Sequence, residues 1–408
     1  MIIDDLDTPA LLVERARLER NLRRMQEKAD AGGARLRPHL KTHKSPWIAR
    51  RQREVGAEGI TVATPGEAEA FFEEGFEDLR VAYAVVGDRK HARLARLTNR
   101  GADVSFCVDT EAGIEAAAQF YDGKQRPAQV FLEIDVGHGR CGVPWSRPEQ
   151  AEGLARQVRD ASALRLCGLL THAGHSYHGP ASQGHDPQGA SETPDEALRR
   201  VTREERERIL SIAERLGEAG LADPARFEVS IGSTPSMTHF PVEDEIEDEK
   251  AAPGNFSVTE VRPGNYVFYD AMQVALGSAA LEDCALTALA TVTSKRRSEE
   301  GTERLYLDAG KKVLTTDRGA AGPGYGTLLY NAAAMRPWPH ARIHRLSEEH
   351  AWVQVPGGAP FTTGDRVRVV PNHACVTVAT QDVLHLVDGE DVVRALPVVA
   401  RGHANLQP

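Results

Sequence analysis

Four short stretches carry residue types that could do chemistry. Arg37-Pro38-His39-Leu40-Lys41-Thr42-His43-Lys44 closes a β-rich run, and the even offset of Lys41 from Arg37 and His39 predicts one shared strand face. An amine held in a partly desolvated mouth has a lowered pKa and can form a Schiff base. The same residues also fit a solvated basic turn. Gly232-Ser233-Thr234 offers backbone N–H groups and hydroxyls in a turn that glycine permits, and Arg262-Pro263-Gly264-Asn265-Tyr266 offers a second such turn. Together they predict a phosphate cradle, although each alone is weak evidence. In Pro371-Asn372-His373-Ala374-Cys375-Val376-Thr377, continuation of the preceding strand would put His373 and Cys375 on one face. An imidazole and a thiolate then suit a divalent cation such as Zn²⁺, and two donors leave positions open, as at a catalytic metal. A chance His-x-Cys is the other reading of that spacing.

These groups need elements to position them. Eight β-rich runs are visible: Leu36 to Thr42, Gly59 to Thr64, Leu79 to Val86, Val104 to Asp109, Val130 to Val136, Leu166 to His172, Phe227 to Ile231 and Val258 to Arg262. Helix-compatible sequence separates most of them, so the α/β pattern predicts a (β/α)8 TIM-like barrel with its chemistry at the C-terminal strand ends. The two glycine turns follow the seventh and eighth runs, where such barrels hold phosphate. Leu198, Val201, Ile209, Leu210, Ile212, Ala213 and Leu216 recur near a 3.6 period and predict a helix packed on the barrel. His178 to Pro194, and Phe240 to Phe256 with its acidic run from Glu243 to Glu249, read as surface loops.

After Asp270 the runs are short and turn-separated: Leu286 to Val292, Leu305 to Asp308, Ala341 to Leu346, Trp352 to Val355, Arg366 to Val370 and Val383 to Val387. The expected division is a barrel over residues 11–272 and a C-terminal β-rich domain over 273–408, joined by a strand from residues 1–10. The chain is acidic, with a formal net charge of -10, which argues against nucleic acid as a partner. No stretch approaches the ~20 apolar residues of a membrane span, and Asp4, Asp5 and Asp7 do not suit a signal peptide. The expectation is a cytoplasmic protein. Five dispersed cysteines, Cys107, Cys141, Cys167, Cys284 and Cys375, predict reduced thiols.

Longer motifs carry a resemblance. Lys41 after Arg-Pro-His, Gly-His-Gly-Arg at 137–140, Leu-Leu-Thr-His at 169–172 and Arg-Pro-Gly at 262–264 resemble the landmarks of the alanine-racemase-type (fold type III) pyridoxal-phosphate (PLP) enzymes. Val229 to Ser236, Pro263 to Asp270 and His373-Ala374-Cys375 resemble the eukaryotic-type D-serine dehydratase branch, with D-threonine aldolases close by. The resemblance spans nearly the whole chain. It implies that Lys41 binds PLP covalently, Arg140 meets its phenolic oxygen and His172 lies against its ring. It further implies that Gly232, Ser233, Thr234, Gly264, Asn265 and Tyr266 surround the phosphate, and that His373 and Cys375 bind a divalent metal, Zn²⁺ before Mn²⁺. His175 has two readings, a proton donor near the substrate hydroxyl or a hydrogen-bonded loop histidine. His39 and His43 read as structural. Thr64, Tyr83, Asp135, Tyr177 and Asp308 fit either the mouth or packing and turn roles.

Many D-threonine aldolases carry an aspartate at the Cys375 position and a Gly-Gly-x-Gly phosphate turn, so both differences favour dehydration. The implied chemistry is proton removal from Cα of a D-amino acid by Lys41, with PLP as electron sink and the metal easing loss of the β-hydroxyl. D-Serine would yield pyruvate and ammonia. The alternatives are D-threonine aldolase, D-threo-3-hydroxyaspartate dehydratase and a non-catalytic PLP carrier. A racemase lacks a role for His-x-Cys. The resemblance also implies a head-to-tail homodimer.

Overall fold

The computed structural model describes residues 1–183, 192–241, 255–297, 303–318, 322–356 and 358–402. Two compact units emerge, one from residues 25–41 and 49–264, the other from 1–24, 42–48 and 265–402. The first strand, β1 (Ala10–Glu14), belongs to the second of these.

The barrel unit contains β2 (Arg35–Leu36), β3 (Ile60–Val62), β4 (Asp78–Ala84), β5 (Asp103–Val108), β6 (Ala128–Asp135), the short β7 (Val143–Pro144), β8 (Leu164–Thr171), β9 (Glu228–Ile231) and β10 (Glu260–Val261). They pair in parallel in the order β2-β10-β9-β8-β6-β5-β4-β3, with β7 beside β6. A parallel bridge between His39 and Thr61 joins the two end strands, so the sheet closes on itself as a barrel. All eight expected runs contain strands, but the first and the eighth are cut to two residues each. Pro38 has no N–H to continue a ladder, and Leu40–Thr42 coils into a 3-10 turn.

The long helix fits its apolar stripe. It runs Pro194–Glu218, opens on a reciprocal cap between Thr193 and Glu196, and buries Leu198, Val201, Ile209, Leu210, Ile212, Ala213 and Leu216. The barrel interior is charged rather than apolar. Glu260 is fully buried and accepts from Arg37 Nε at 2.6 Å, from Arg80 and from Ser230 Oγ at 2.5 Å. Burial alone would raise its pKa, but Arg80, Arg37 and Arg262 outweigh it and hold the carboxyl at about 2. Arg80 also lies 3.8 Å from the centre of the Phe131 ring.

The second unit continues with β11 (Leu286–Arg297), β12 (Glu303–Leu307), β13 (Thr327–Asn331), β14 (Arg336–Pro337), β15 (Arg342–Leu346), β16 (Ala351–Val355), β17 (Arg366–Val370), β18 (Val383–Asp388) and β19 (Asp391–Pro397). Its main path is β14-β13-β17-β11-β1-β18-β19, and β12, β16 and β15 extend it from β11. β1 is interior: Leu11 faces Ala288 antiparallel, and Val13 faces Leu386 parallel. Leu6, Ala10, Leu12, Leu289 and Val387 pack around it.

The loop expectation for His178 to Pro194 is only partly testable. Gly174–Gln183 forms 3-10 turns and Pro194 opens the long helix, but residues 184–191 lie outside the described residues. The acidic run Glu243 to Glu249 also lies outside them. All five cysteines are free thiols, and no helix among the described residues is long and apolar enough to cross a membrane.

Candidate active site

In the barrel unit Lys41 sits in the 3-10 turn beyond β2, not on a strand face shared with Arg37 and His39. Strand alternation does not reach Lys41, because Pro38 and the turn interrupt it. Lys41 donates its backbone N–H to His39 Nδ1 at 3.4 Å, and Arg37 turns into the charged interior.

Two further strand ends converge on this region. After β6, both oxygens of Asp135 gather the turn: Oδ1 accepts from the amides of Gly137 at 2.9 Å and His138 at 2.8 Å, and Oδ2 from Gly139 at 2.9 Å. That carboxylate fixes the Gly-His-Gly-Arg segment and leaves Arg140 exposed, 3.9 Å from Glu133. After β8, His172 Nδ1 lies 3.4 Å from the Gly232 carbonyl. Burial first, then the charges of Lys41 and Arg140, push the His172 pKa well below its ordinary value. The ring is a neutral imidazole near neutral pH. His138 packs edge-on to it at 6.0 Å between centroids. Gly174 is required beside this pair, since a Cβ there would lie 2.3 Å from His138 Nε2.

The Gly232-Ser233-Thr234 turn is buried, and Gly232 has φ +118°, where a Cβ would stand 3.0 Å from the Arg262 nitrogen. Its expected donors need correction, however. The Gly232 N–H already binds Glu205 Oε1 at 2.9 Å, and the Ser233 N–H binds Ser236 Oγ at 3.1 Å. The cause is Glu205, a fully buried carboxyl on the long helix that also accepts from the Ala173 amide at 3.2 Å. Sequence reasoning missed it because it looks like one more helix glutamate. Ser233 Oγ and Ser176 Oγ stand 2.9 Å apart. His175 is buried, and neither ring nitrogen has a hydrogen-bond partner among the described residues. Burial, then His138, Arg208 and Arg200, lower its pKa to about 4, so the ring holds no spare proton at neutral pH.

Gly264 ends the barrel unit's share of the chain, and Asn265 and Tyr266 fold with the second unit. There Asn265 Nδ2 donates to Asp270 Oδ2 at 2.5 Å, its Oδ1 is buried without a partner among the described residues, and Tyr266 is fully buried. The six expected phosphate residues are thus divided between units.

In the second unit β17 stops at Val370, and His373 is the N-cap of helix Ala374–Ala379. His373 and Cys375 therefore do not share a strand face. They meet because the chain turns into a helix, whose Ala374 N–H is received by buried Asp270 at 2.9 Å. His373 Nδ1 lies 2.7 Å from Asp317 Oδ2, and Cys375 Sγ lies 3.2 Å from Thr42 Oγ1 and 3.9 Å from Asn265 Nδ2. Burial lowers the His373 pKa, but hydrogen bonding to Cys375 and Asp317, with the Asp270 charge, raises it to about 10. Among the described residues no group of three or more His, Cys, Asp or Glu is placed to hold a metal ion. The donor set still fits a cation with open positions: Asp317 occupies Nδ1 and leaves Nε2 and the sulfur as two donors. Asp317 was not legible, since 56 residues separate it from His373. A lysine, a neutral imidazole and a buried hydroxyl-bearing turn likewise suit a phosphorylated aldehyde.

The remaining expected residues are structural where the contacts show. Thr64 caps helix Pro65–Glu73, His43 Nδ1 accepts the Ser45 N–H at 3.1 Å, and Asp308 accepts from Thr8 at 2.6 Å and the Thr291 amide at 2.7 Å. Tyr83 lies beneath Lys90, and Tyr177 lies 6.2 Å from the His172 ring.

Comparison with known proteins gives the family. Residues 13–271 match the family "Alanine racemase, N-terminal domain", and residues 285–387 match a serine dehydratase domain. The D-threo-3-hydroxyaspartate dehydratase of Delftia sp. (strain HT23) is 37% identical over 92% of this chain and 92% of its own length. The D-threonine aldolase of Arthrobacter sp. is 33% identical over 97% and 93%, and the D-serine dehydratase of Dictyostelium discoideum is 28% identical over 96% of each. The solved structure of a D-threo-3-hydroxyaspartate dehydratase, as a cysteine-to-alanine mutant in the metal-free form, superposes with a TM-score of 0.84 at 34% identity, covering 98% of this chain and 99% of that one. Motifs, barrel, appended sheet and whole-length similarity agree: the chain belongs to the alanine-racemase-type, fold type III PLP family, in its D-hydroxyamino-acid dehydratase and aldolase branch.

Proposed function

We propose that this chain is a PLP- and metal-dependent dehydratase of D-3-hydroxy-α-amino acids, acting on D-serine and on D-threo-3-hydroxyaspartate. The observation that carries the reading is the His373–Cys375 pair braced by Asp317, in a chain whose Lys41 sits in the 3-10 turn beyond the first barrel strand. Bound PLP supplies a sink for the electron pair left at Cα, and a bound divalent cation supplies a Lewis acid for the departing hydroxyl.

The chain's own residues do the rest. Lys41 holds the cofactor and, once displaced by the substrate amine, takes the Cα proton. His172 stays neutral beside it, so it orients without competing for that proton. Arg140 reaches the mouth from the turn that Asp135 gathers and meets the cofactor's oxygen. Thr234, Gly264 and the Ser233 hydroxyl hold the phosphate, since the Gly232 and Ser233 amides are already used. His373 offers Nε2 and Cys375 its thiolate to the cation. Water leaves from Cα and Cβ, and hydrolysis of the resulting enamine returns one water and releases a 2-oxo acid and ammonia.

His175, with both nitrogens unpartnered, serves as a neutral N–H donor toward the leaving hydroxyl. A mutant pair known for the hydroxyaspartate dehydratase, a cysteine and a histidine two residues apart, the cysteine mutant metal-free, supports the metal assignment. The head-to-tail homodimer is part of the same proposal.

Product analysis tests it. D-Serine gives pyruvate, D-threo-3-hydroxyaspartate gives oxaloacetate, each with ammonia, and the L-enantiomers are inert. Borohydride traps the cofactor on the Lys41 peptide. The second reading, retro-aldol cleavage, rests on the 33% identity to a D-threonine aldolase. It prevails if D-threonine gives glycine and acetaldehyde rather than 2-oxobutanoate and D-serine gives no pyruvate.

A further inference from the structure

The second unit contains a cavity of about 690 Å³ that none of the chemistry above uses. Its floor is one face of the main sheet. Register places Arg368 opposite Leu289 on one side and Leu329 on the other, with Arg366 two residues along the same strand, so both arginines project from the face that carries Leu289. The start of helix Arg15–Ala31 supplies Arg17 as a wall.

These arginines differ from the buried ones in the barrel. Arg37 and Arg80 each lie against carboxylates, Glu260 first among them. Arg17, Arg366 and Arg368 make no ion pair within 4 Å among the described residues. Arg17 Nη2 donates to the Ala333 carbonyl at 3.1 Å, and Arg366 Nη1 to the Ile3 carbonyl at 3.1 Å. Arg368 Nε donates to Thr287 Oγ1 at 2.9 Å, which fixes the guanidinium plane, while its Nη2 is buried with no partner. Burial lowers the pKa of Arg368 to about 10 and that of Arg17 in the same direction, with Glu14 opposing the shift at both. Glu14 shares the lining, so the inner cavity sets three guanidiniums against one carboxylate; Asp4 and Glu390 stand exposed at the rim, and Arg20 is 3.6 Å from Asp283. A largely buried guanidinium such as that of Arg368, with no ion pair within 4 Å among the described residues, is retained at a cost, which an oxyanion would offset through charge-assisted, two-pronged bonds.

We propose that this cavity is a binding site for a small oxyanion, carboxylate or phosphate, with Arg368 as its central ligand and Arg17 and Arg366 closing on it. The purified full-length chain is titrated calorimetrically with inorganic phosphate and, separately, with malonate. At least one probe binds with one site per chain, and R368M weakens that binding at least tenfold while leaving turnover unchanged. R17Q and R366Q, closer to solvent, each weaken it several-fold and stand in if R368M does not fold. Binding of phosphate alone identifies a phosphate-type ligand, and of malonate alone a carboxylate. Absence of binding by both probes, or equal affinity in wild type and all three variants, overturns the proposal.

Discussion

His172 and His373 stand just beyond strand ends in different units, and burial lowers the pKa of both. Their neighbours then drive them apart. Around His172 the charges of Lys41 and Arg140 add to burial, and the pKa is driven well below its ordinary value. Around His373 stand Cys375, Asp317 and Asp270, and the ring is raised to about 10. The lesson is that burial does not assign a histidine its role; the sign of the surrounding charge does. A neutral ring beside a lysine can orient without competing for a proton, and an imidazole among anions is a place where another cation is welcome.

Removing those neighbours breaks the contrast. The largest effect is expected from Lys41→Ala, which removes the proposed Cα base and a charge that adds to burial in lowering the His172 pKa. Turnover falls by up to ~10⁴-fold, and the His172 pKa, followed by NMR, rises; an unchanged His172 titration would separate the two roles. Next, Cys375→Ala deletes one of the two proposed metal donors, so metal affinity measured after dialysis falls by more than about 100-fold, with the cofactor's absorption band retained. Full metal content in that variant would return Cys375 to a packing role.

Asp317→Asn is milder, because it keeps the hydrogen-bonding shape and loses the charge. Metal affinity drops by roughly 10- to 100-fold in calorimetric titration, and an unaltered affinity would remove Asp317 from the site. The smallest effect concerns a third histidine. His91 is fully buried among Phe106, Phe120 and Tyr121, and neither ring nitrogen has a hydrogen-bond partner among the described residues. Burial lowers its folded pKa against Asp88. The unfolded chain therefore binds the extra proton first, and stability is lost as pH falls below about 6.5 toward the folded value. His91→Leu flattens the stability curve there by at most about 1.4 kcal/mol per pH unit; equal slopes in denaturant titrations of both proteins would show that His91 does not titrate on unfolding.

Much of the frame was legible because it rests on periodicity. The eight barrel runs alternate with helical sequence, and the stripe from Leu198 to Leu216 is buried as expected. The chemistry was legible as residue types, not as geometry. Lys41 and the His373–Cys375 pair were both placed by extending a strand, and both lie instead in tight helical turns, after Pro38 and after β17. Strand phase cannot be carried past a residue that breaks the ladder. Asp317, Asp270 and Glu205 were out of reach because each acts through tertiary contact and leaves no local pattern. The strands β13, β14 and β19 were missed because their many exposed positions blur the alternation.

The position of β1 bears on how this chain is made. Ala10 must find Leu289, and Val13 must find Leu386, before the second sheet has a middle. At ~5–20 residues per second of synthesis, β1 waits on the order of tens of seconds after its own translation for either neighbour. During that interval its apolar run, Ala10-Leu11-Leu12-Val13, has two unpaired edges. The barrel can be completed while the rest of the sheet that needs this strand has not yet been translated, so a strand made before the barrel is fixed after it.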